Sequence, residues 1–160
     1  MCDATEPPMS GPSLLSQLSS PPKRTALVQD AAQTLEAEVS DKGGISGLAI
    51  KAAFAVVKNL RPGILGQLVD KLLDDFLVAL DPFYQKALLQ GRKPGAYVTE
   101  EASAVAAALL GITDQKARRA SSEVLRKTYE KLRPSAQKQV EAAAPRLGQL
   151  LDRHAQGPGT

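Results

Sequence analysis

The single histidine of the chain, His154, is the first residue to consider for chemistry, because an imidazole can act as a general base or bind a metal ion. It lies beside Asp152 and Arg153 at the end of a segment with helical spacing. A base or a metal ligand needs partner groups from other segments, and the sequence identifies none. A cation in the last turn of a helix is stabilised by the helix dipole. We therefore predict a structural role for His154.

Four aspartates, Asp70, Asp74, Asp75 and Asp81, raise the question of a metal site. Carboxylate-bridged metal sites in helical bundles take ligands from several helices and use a Glu-x-x-His spacing, which this sequence lacks. Lys71 can instead pair with Asp74 and Asp75 at helical spacing. We predict a solvated acidic face, and the sequence predicts no metal and no other cofactor.

The glycine-rich run 43–47, at the start of a predicted helix, can present backbone N–H groups to an anion. It lacks both the Lys-Ser/Thr ending of a phosphate-binding loop and the strand that precedes such a loop. Gly43 as a helix C-cap and Ser46 as a helix N-cap explain the run without a ligand.

Basic residues are concentrated near the C-terminus: residues 113–160 carry ten Lys and Arg against five Asp and Glu, whereas residues 1–112 are net negative. Such an excess can attract phosphates or anionic lipid headgroups. The residues predicted for an anion or partner contact are Arg118, Arg119, Arg126, Lys127, Lys131 and Lys138. Glu123 and Glu130 alternate with arginines at helical spacing, which is also typical of a solvated face with weak ion pairs.

The elements that must position these residues are helices. Aliphatic residues recur every three to four positions, and no apolar alternation of period two predicts a strand. The spacing predicts an all-α bundle of six to seven helices, over residues 22–39, 46–60, 64–80, 81–89, 99–110, 113–132 (with a break near 121–122) and 135–154. The segment 64–80 has the clearest stripe. The helix over 46–60 has so few polar residues that we expect it to be the most buried.

Prolines and glycines suggest the domain boundaries. Residues 1–21 are predicted to form a flexible N-terminal tail, residues 22–154 a single helical domain and residues 155–160 a flexible C-terminal tail. Within the first tail, leucines at 14, 15 and 18 can form one amphipathic turn that docks on the domain. The triplet 60–62 (Leu-Arg-Pro) recurs at 132–134, which suggests the hypothesis of two similar three-helix halves. Chance use of the same turn residues is the alternative.

Cysteine usage and hydropathy indicate the compartment. Cys2 is the single cysteine, so no intramolecular disulfide can form, and a reducing cytoplasm fits best. The N-terminus has no apolar segment typical of a signal peptide. The longest weakly charged stretch, residues 45–57, is too short to cross a bilayer. We predict a soluble, cytoplasmic protein.

Three segments carry a family resemblance: residues 38–51 (EVSDKGGISGLAIK), residues 61–64 (RPGI) and residues 144–148 (APRLG). They resemble an uncharacterised family of small bacterial helical proteins, a domain of unknown function. The similarity runs from about Leu14 to His154. The resemblance implies membership and transfers no activity, ligand or catalytic residue to any position.

Three hypotheses for the function follow. The first is a non-enzymatic helical module that works through contacts of helix faces with a protein partner or a second copy. The second is weak electrostatic binding of nucleic acid or an anionic membrane through the basic residues of segment 118–138, which the poor aromatic content of that segment disfavours. The third is an enzyme or small-ligand binder with an inter-helix pocket that uses Tyr84, Tyr97 or Tyr129.

Overall fold

The computed structural model of the chain describes residues 11–155, and within that range it contains helices and no strand, which confirms the predicted all-α fold. Its helices are α1 (Leu14–Leu18), α2 (Lys23–Ser40), α3 (Gly44–Lys58), α4 (Ile64–Leu89), α5 (Pro94–Glu100), α6 (Ala102–Arg119) and α7 (Glu123–His154). None of these described helices is both long and apolar enough to cross a membrane.

Helix α1 shows that the core begins near the N-terminal end of the described residues. Leu14 and Leu18 are 0% and 1% exposed, as the leucine spacing predicted for a docked turn. The backbone N–H of Leu14 donates to Asp81 Oδ1 at 2.9 Å, and the Ser13 hydroxyl caps the helix. The flexible tail predicted for residues 1–21 falls partly on residues 1–10, outside the described residues, and the same holds for residues 156–160.

The predicted helix break at Pro82 is wrong, because α4 continues through it. Leu80 and Tyr84, on either side of this exposed proline, are both buried, and their burial continues the apolar stripe of α4. A proline inside a helix removes one backbone hydrogen bond and costs about 3 kcal/mol. Burial of the side chains on both sides offsets that cost.

The break predicted at Pro134 is also wrong, and Pro145 does not interrupt α7 either. Both prolines are exposed, while Ala144, Gly148 and Leu151 of the same helix are buried. The break near 121–122 is confirmed, with Ser122 as the N-cap of α7.

The hypothesis of two similar three-helix halves fails because α7 continues through residues 132–134. Residues 59–63 form the turn between α3 and α4, whereas residues 131–135, which the repeat would place in the matching turn, lie inside α7. The shared Leu-Arg-Pro triplet therefore serves two different local structures.

The core joins α1, α2, α4, α5, α6 and α7. Its largest fully buried side chains are Leu14, Leu18, Tyr84, Val98 and Val105, each 0–1% exposed. The prediction that the segment 46–60 is the most buried helix is wrong: within α3 only Gly47 is buried, and Ile45 is 88% exposed. Low polarity shows that a helix face is apolar, and it does not show that the same chain covers that face.

Candidate functional site

An apolar cavity of about 440 Å³ lies between α2, α4, α6 and α7. It is partly open to solvent, and Leu35, which is 40% exposed, is one of the residues that line it. The lining residues are Leu18, Leu27, Ala31, Thr34, Leu35, Glu38, Leu65, Leu68, Val69, Leu72, Leu73, Phe76, Leu77, Leu80, Leu109, Leu110, Thr113, Val140, Ala143, Arg146, Leu147, Leu150 and Leu151. All but four of these side chains are hydrocarbon.

The periodicity of α4 builds one wall of the cavity. Its lining positions between Leu65 and Leu80 repeat at intervals of three and four, so their side chains share one face of the helix. Across the cavity, α2 and α7 present short side chains, Ala31 and Ala143, among longer ones. Because these residues are short, the facing helices do not fill the space between them.

The rim of the cavity carries an ion-pair network. Glu38 accepts hydrogen bonds from Arg146 and from Lys42, each at 2.7 Å, and Arg146 also donates to Asp41. Burial raises the pKa of the Glu38 carboxyl, but the bonds from Lys42 and Arg146 outweigh burial, so this pKa lies below its ordinary value. The two charged residues of the lining, Glu38 and Arg146, therefore neutralise each other.

A second polar group of the lining, Thr113, is also engaged. Its hydroxyl lies 2.6 Å from the Tyr129 hydroxyl and donates to the carbonyl of Leu110 at 3.1 Å. The Tyr129 hydroxyl donates in turn to Asp114, whose two carboxylate oxygens also accept from Arg133. Arg133 first, and Tyr129 second, lower the pKa of Asp114, whereas burial is the main cause that raises the pKa of Tyr129. This cluster fastens α6 to α7.

The structure places the predicted basic residues on two helices. Arg118 and Arg119 end α6, and the other four lie on α7. Arg126 is paired with Glu123 at 3.2 Å and donates to the carbonyl of Ala120. Lys127, Lys131 and Lys138 share one face of α7 and are exposed. None of these six basic residues lines the cavity. The predicted anion contact stays a prediction.

The four aspartates of α4 have partners on other elements, and that of Asp81 is the backbone N–H of Leu14 in α1. Arg24 of α2 pairs with Asp70 at 2.8 Å and with Asp74 at 2.7 Å. Lys116 of α6 pairs with Asp75 at 3.1 Å. These partners come from neighbouring helices, not from Lys71 as the helical spacing suggested. Within residues 11–155, no group of three or more His, Cys, Asp or Glu side chains could hold a metal ion.

His154 lies in the last turn of α7, and its Nε2 is 2.7 Å from Asp30 Oδ2. The guanidinium of Arg153 binds the same carboxylate with two nitrogens at 3.0 Å. The bond from Arg153 is the largest cause that lowers the pKa of Asp30, and His154 adds to it. The arrangement ties the end of α7 to α2.

Two further sequence predictions concern tyrosines and glycines. None of the three tyrosines lines the described cavity: Tyr84 is buried in the core, Tyr97 stacks under Arg92, and Tyr129 bonds to Asp114. The run 43–47 opens α3, with Gly43 at the N-cap position and Ser46 inside the helix. The predicted caps at Gly43 and Ser46 are therefore wrong.

Sequence reasoning included an inter-helix pocket in the third hypothesis, but it named Tyr84, Tyr97 or Tyr129 for that pocket, and none of them lines the cavity. The signal that could have found it is the width of the α4 stripe, which has more large aliphatic residues than one facing helix can cover. Alanines on α2 and α7 opposite that stripe complete the signal, but their alignment across the bundle depends on the fold.

A comparison with protein-family models identifies a family. A family model described as a family of unknown function, DUF6918, matches residues 14–155. A search of curated proteins and a search of solved structures each found no match.

Proposed function

The chain belongs to the DUF6918 family, whose function is unknown, and we propose that it is a non-enzymatic binding protein that holds a linear apolar ligand between α2, α4, α6 and α7. The observation that carries the proposal is the cavity. Its volume of about 440 Å³ lies in the range of ligand pockets, roughly 300–1,000 Å³.

The walls of the cavity favour a hydrocarbon ligand. An apolar space without atoms forfeits the dispersion contacts of its lining, and a hydrocarbon occupant restores them. Glu38 bonds to Arg146, and the Thr113 hydroxyl donates to the Leu110 carbonyl, so an occupant needs no hydrogen bond to satisfy these groups. A long-chain fatty acid, alcohol or acyl group matches this lining.

The same lining supports a binding role rather than catalysis. Hydrocarbon side chains cannot attack an occupant or exchange a proton with it. Glu38 is held as a carboxylate by two cations, which makes it a weak base.

The proposal develops the third sequence hypothesis, a small-ligand binder with an inter-helix pocket, in a non-enzymatic form and with other lining residues. The proposed working surface is a cavity, and a protein partner or a second copy would receive or deliver the apolar ligand. The cytoplasmic location also belongs to the proposal and is supported by the single cysteine of the chain.

A titration with a fluorescent fatty acid such as parinaric acid tests the proposal. We expect saturable enhancement of its fluorescence, with loss of binding in Ala143→Phe, which places a ring in the cavity. Ala142→Phe is the matched control, because Ala142 is on the same helix and is exposed. Equal binding by the two variants, or no binding by the wild type, would refute the proposal.

A further inference from the structure

Helix α3 is apolar on the side that faces solvent. Ile45 is 88% exposed, Leu48 is 69% exposed and Val56 is 47% exposed. Ala52 lies between them and is also exposed. Spacings of three and four place all four residues on one stripe, which we call the α3 stripe. Single exposed aliphatic residues are ordinary, but a continuous stripe along a helix marks a contact surface.

The α3 stripe extends along the helix. The 15 residues of α3 rise about 22 Å, at about 1.5 Å per residue. That length cannot span a hydrocarbon core of about 30 Å, but it can lie in the plane of a membrane surface. The opposite side of α3, where Gly47 is buried and Phe54 is half-buried, packs on the protein. The rest of the domain therefore takes the place of the polar face that a free interfacial helix needs.

The charged residues of α3 favour an anionic membrane surface over a neutral one. The helix contains no Asp or Glu, and its two charged residues are Lys51 and Lys58, both exposed. At 100° per residue, the two lysines lie within about 20° of each other on one flank of the α3 stripe. Lys51 can extend its ammonium group to phosphates while the aliphatic residues enter the acyl region. The Lys58 ammonium lies 5.6 Å from the centre of the Phe54 ring and 3.5 Å from Glu36, so it is held closer to the protein.

A second copy of the chain fits the α3 stripe less well. In an antiparallel two-fold pair of α3 helices, the same flank of each helix meets its own counterpart. In a pair centred on the middle of α3, Lys51 would face the equivalent lysine of the other copy, without an acidic residue of α3 to compensate it. Glu36 of α2 reaches Lys58 at 3.5 Å but does not reduce the charge of Lys51.

From the stripe and its lysine flank, we infer that α3 docks the protein on an anionic lipid bilayer. Ile45, Leu48 and Val56 enter the headgroup and acyl boundary, and Lys51 contacts lipid phosphates. This surface is distinct from the cavity, since no residue of α3 lines the cavity. The inference goes beyond the proposed function and does not depend on it.

Sedimentation of the full chain with vesicles tests the inference. One set of vesicles contains phosphatidylcholine alone, and the other also contains phosphatidylglycerol. We expect the wild type to sediment with the anionic vesicles, with a partition coefficient reduced at least about tenfold in Ile45→Ser/Leu48→Ser/Val56→Ser. The matched control is Val78→Ser/Val124→Ser, which removes exposed valines outside α3 and should bind as the wild type does.

A charge variant keeps the test valid if the serine variant does not fold. Lys51→Glu/Lys58→Glu leaves the apolar stripe intact and should abolish the preference for anionic vesicles. Lys127→Glu/Lys131→Glu makes the same charge change on α7 and should leave the preference unchanged. Loss of binding in the α7 variant with retention in the α3 variant would overturn the inference.

Two further outcomes are decisive. No sedimentation of the wild type with either vesicle overturns the inference, and so does a wild-type dimer in solution that the α3 serine variant converts to a monomer.

Failure of the cavity proposal gives a different pattern. The cavity variant Ala143→Phe should still sediment with anionic vesicles, and the α3 serine variant should still bind the fluorescent fatty acid.

Discussion

Gly95 and Gly148 face each other where α5 crosses α7, and neither position has room for a methyl group. A Cβ built on Gly148 would lie 2.5 Å from the carbonyl oxygen of Gly95. A Cβ built on Gly95 would lie 2.6 Å from the carbonyl oxygen of Gly148 and 2.3 Å from a carboxylate oxygen of Asp152. The same carboxylate accepts a hydrogen bond from the backbone N–H of Gly95 at 3.0 Å. The backbones of α5 and α7 are therefore in direct contact.

Gly148→Ala is predicted to destabilise the fold. The added methyl group meets backbone atoms that cannot rotate away, and overpacking of this kind typically costs about 1–3 kcal/mol. Gly111→Ala is the matched control, because a Cβ at this position in α6 meets open space. The control should gain up to about 1 kcal/mol from helix propensity. Urea unfolding measures the unfolding free energy of both variants. Equal unfolding free energies for Gly148→Ala and Gly111→Ala would contradict the close crossing of α5 and α7.

Ala143→Phe is predicted to raise the unfolding free energy by about 0.5–2 kcal/mol in the absence of ligand, as cavity-filling substitutions commonly do. The ring replaces solvent or empty space with contacts to the aliphatic walls. Ala142→Phe, on the exposed side of α7, should leave the stability nearly unchanged. Thermal unfolding followed by circular dichroism checks the pair. A loss of stability in Ala143→Phe alone would mean that the cavity is already closed by side-chain packing.

Pro134→Ala is predicted to stabilise the protein by up to about 3 kcal/mol. Pro134 is exposed inside α7, so alanine restores a backbone N–H for the helix without removing buried contacts. Because the unfolded chain has more conformational freedom with alanine than with proline, this gain in stability is lowered by about 0.4–1 kcal/mol. Chemical denaturation provides the measurement. Destabilisation would indicate that α7 breaks at this proline, as the sequence alone suggested.

Stability is predicted to fall in acid. The folded-state pKa values of Asp30, Glu38 and Asp114 lie below their ordinary values of 3.8, 4.5 and 3.8. Carboxylates with lowered pKa values stabilise the fold fully above their unfolded pKa values. This contribution is lost as the pH falls through the folded pKa values, because the unfolded chain takes up protons first.

The acid dependence can be assigned to one cluster. In Asp114→Asn, the Arg133 and Tyr129 contacts lose their carboxylate, so the variant should be less stable at neutral pH. It should also lose less stability than the wild type between about pH 5 and about pH 3. Urea midpoints measured across that range check both statements. A variant with the same pH slope as the wild type would contradict the role of Asp114.

Most helices could be predicted from the sequence because burial imposes a local period. The stripe of α4 from Ile64 to Leu80 has that period, and the structure buries five of its residues, Ile64, Leu65, Leu73, Leu77 and Leu80. The breaks at Pro82 and Pro134 were wrong because a local rule about proline competes with packing on both sides of the residue. That packing depends on neighbours distant in sequence and cannot be read from the proline itself.

The candidate site was beyond sequence reasoning for a related reason. Hydropathy shows that Ile45 in α3 and Leu72 in α4 are apolar, but not whether another helix covers them. The cavity lining combines Ala31 of α2 and Ala143 of α7 with long side chains of α4. That combination depends on the positions of three helices, which the period of each helix does not determine.

Calorimetric titration with a long-chain fatty alcohol tests the central claim most directly. The account predicts saturable one-to-one binding with a negative heat-capacity change from apolar burial, and an affinity near that of the fatty acid of equal length. Ala143→Phe should abolish the heat, and Ala142→Phe should preserve it. Absence of binding by the wild type, or the same isotherm in both variants, would contradict the claim that the cavity holds an apolar ligand.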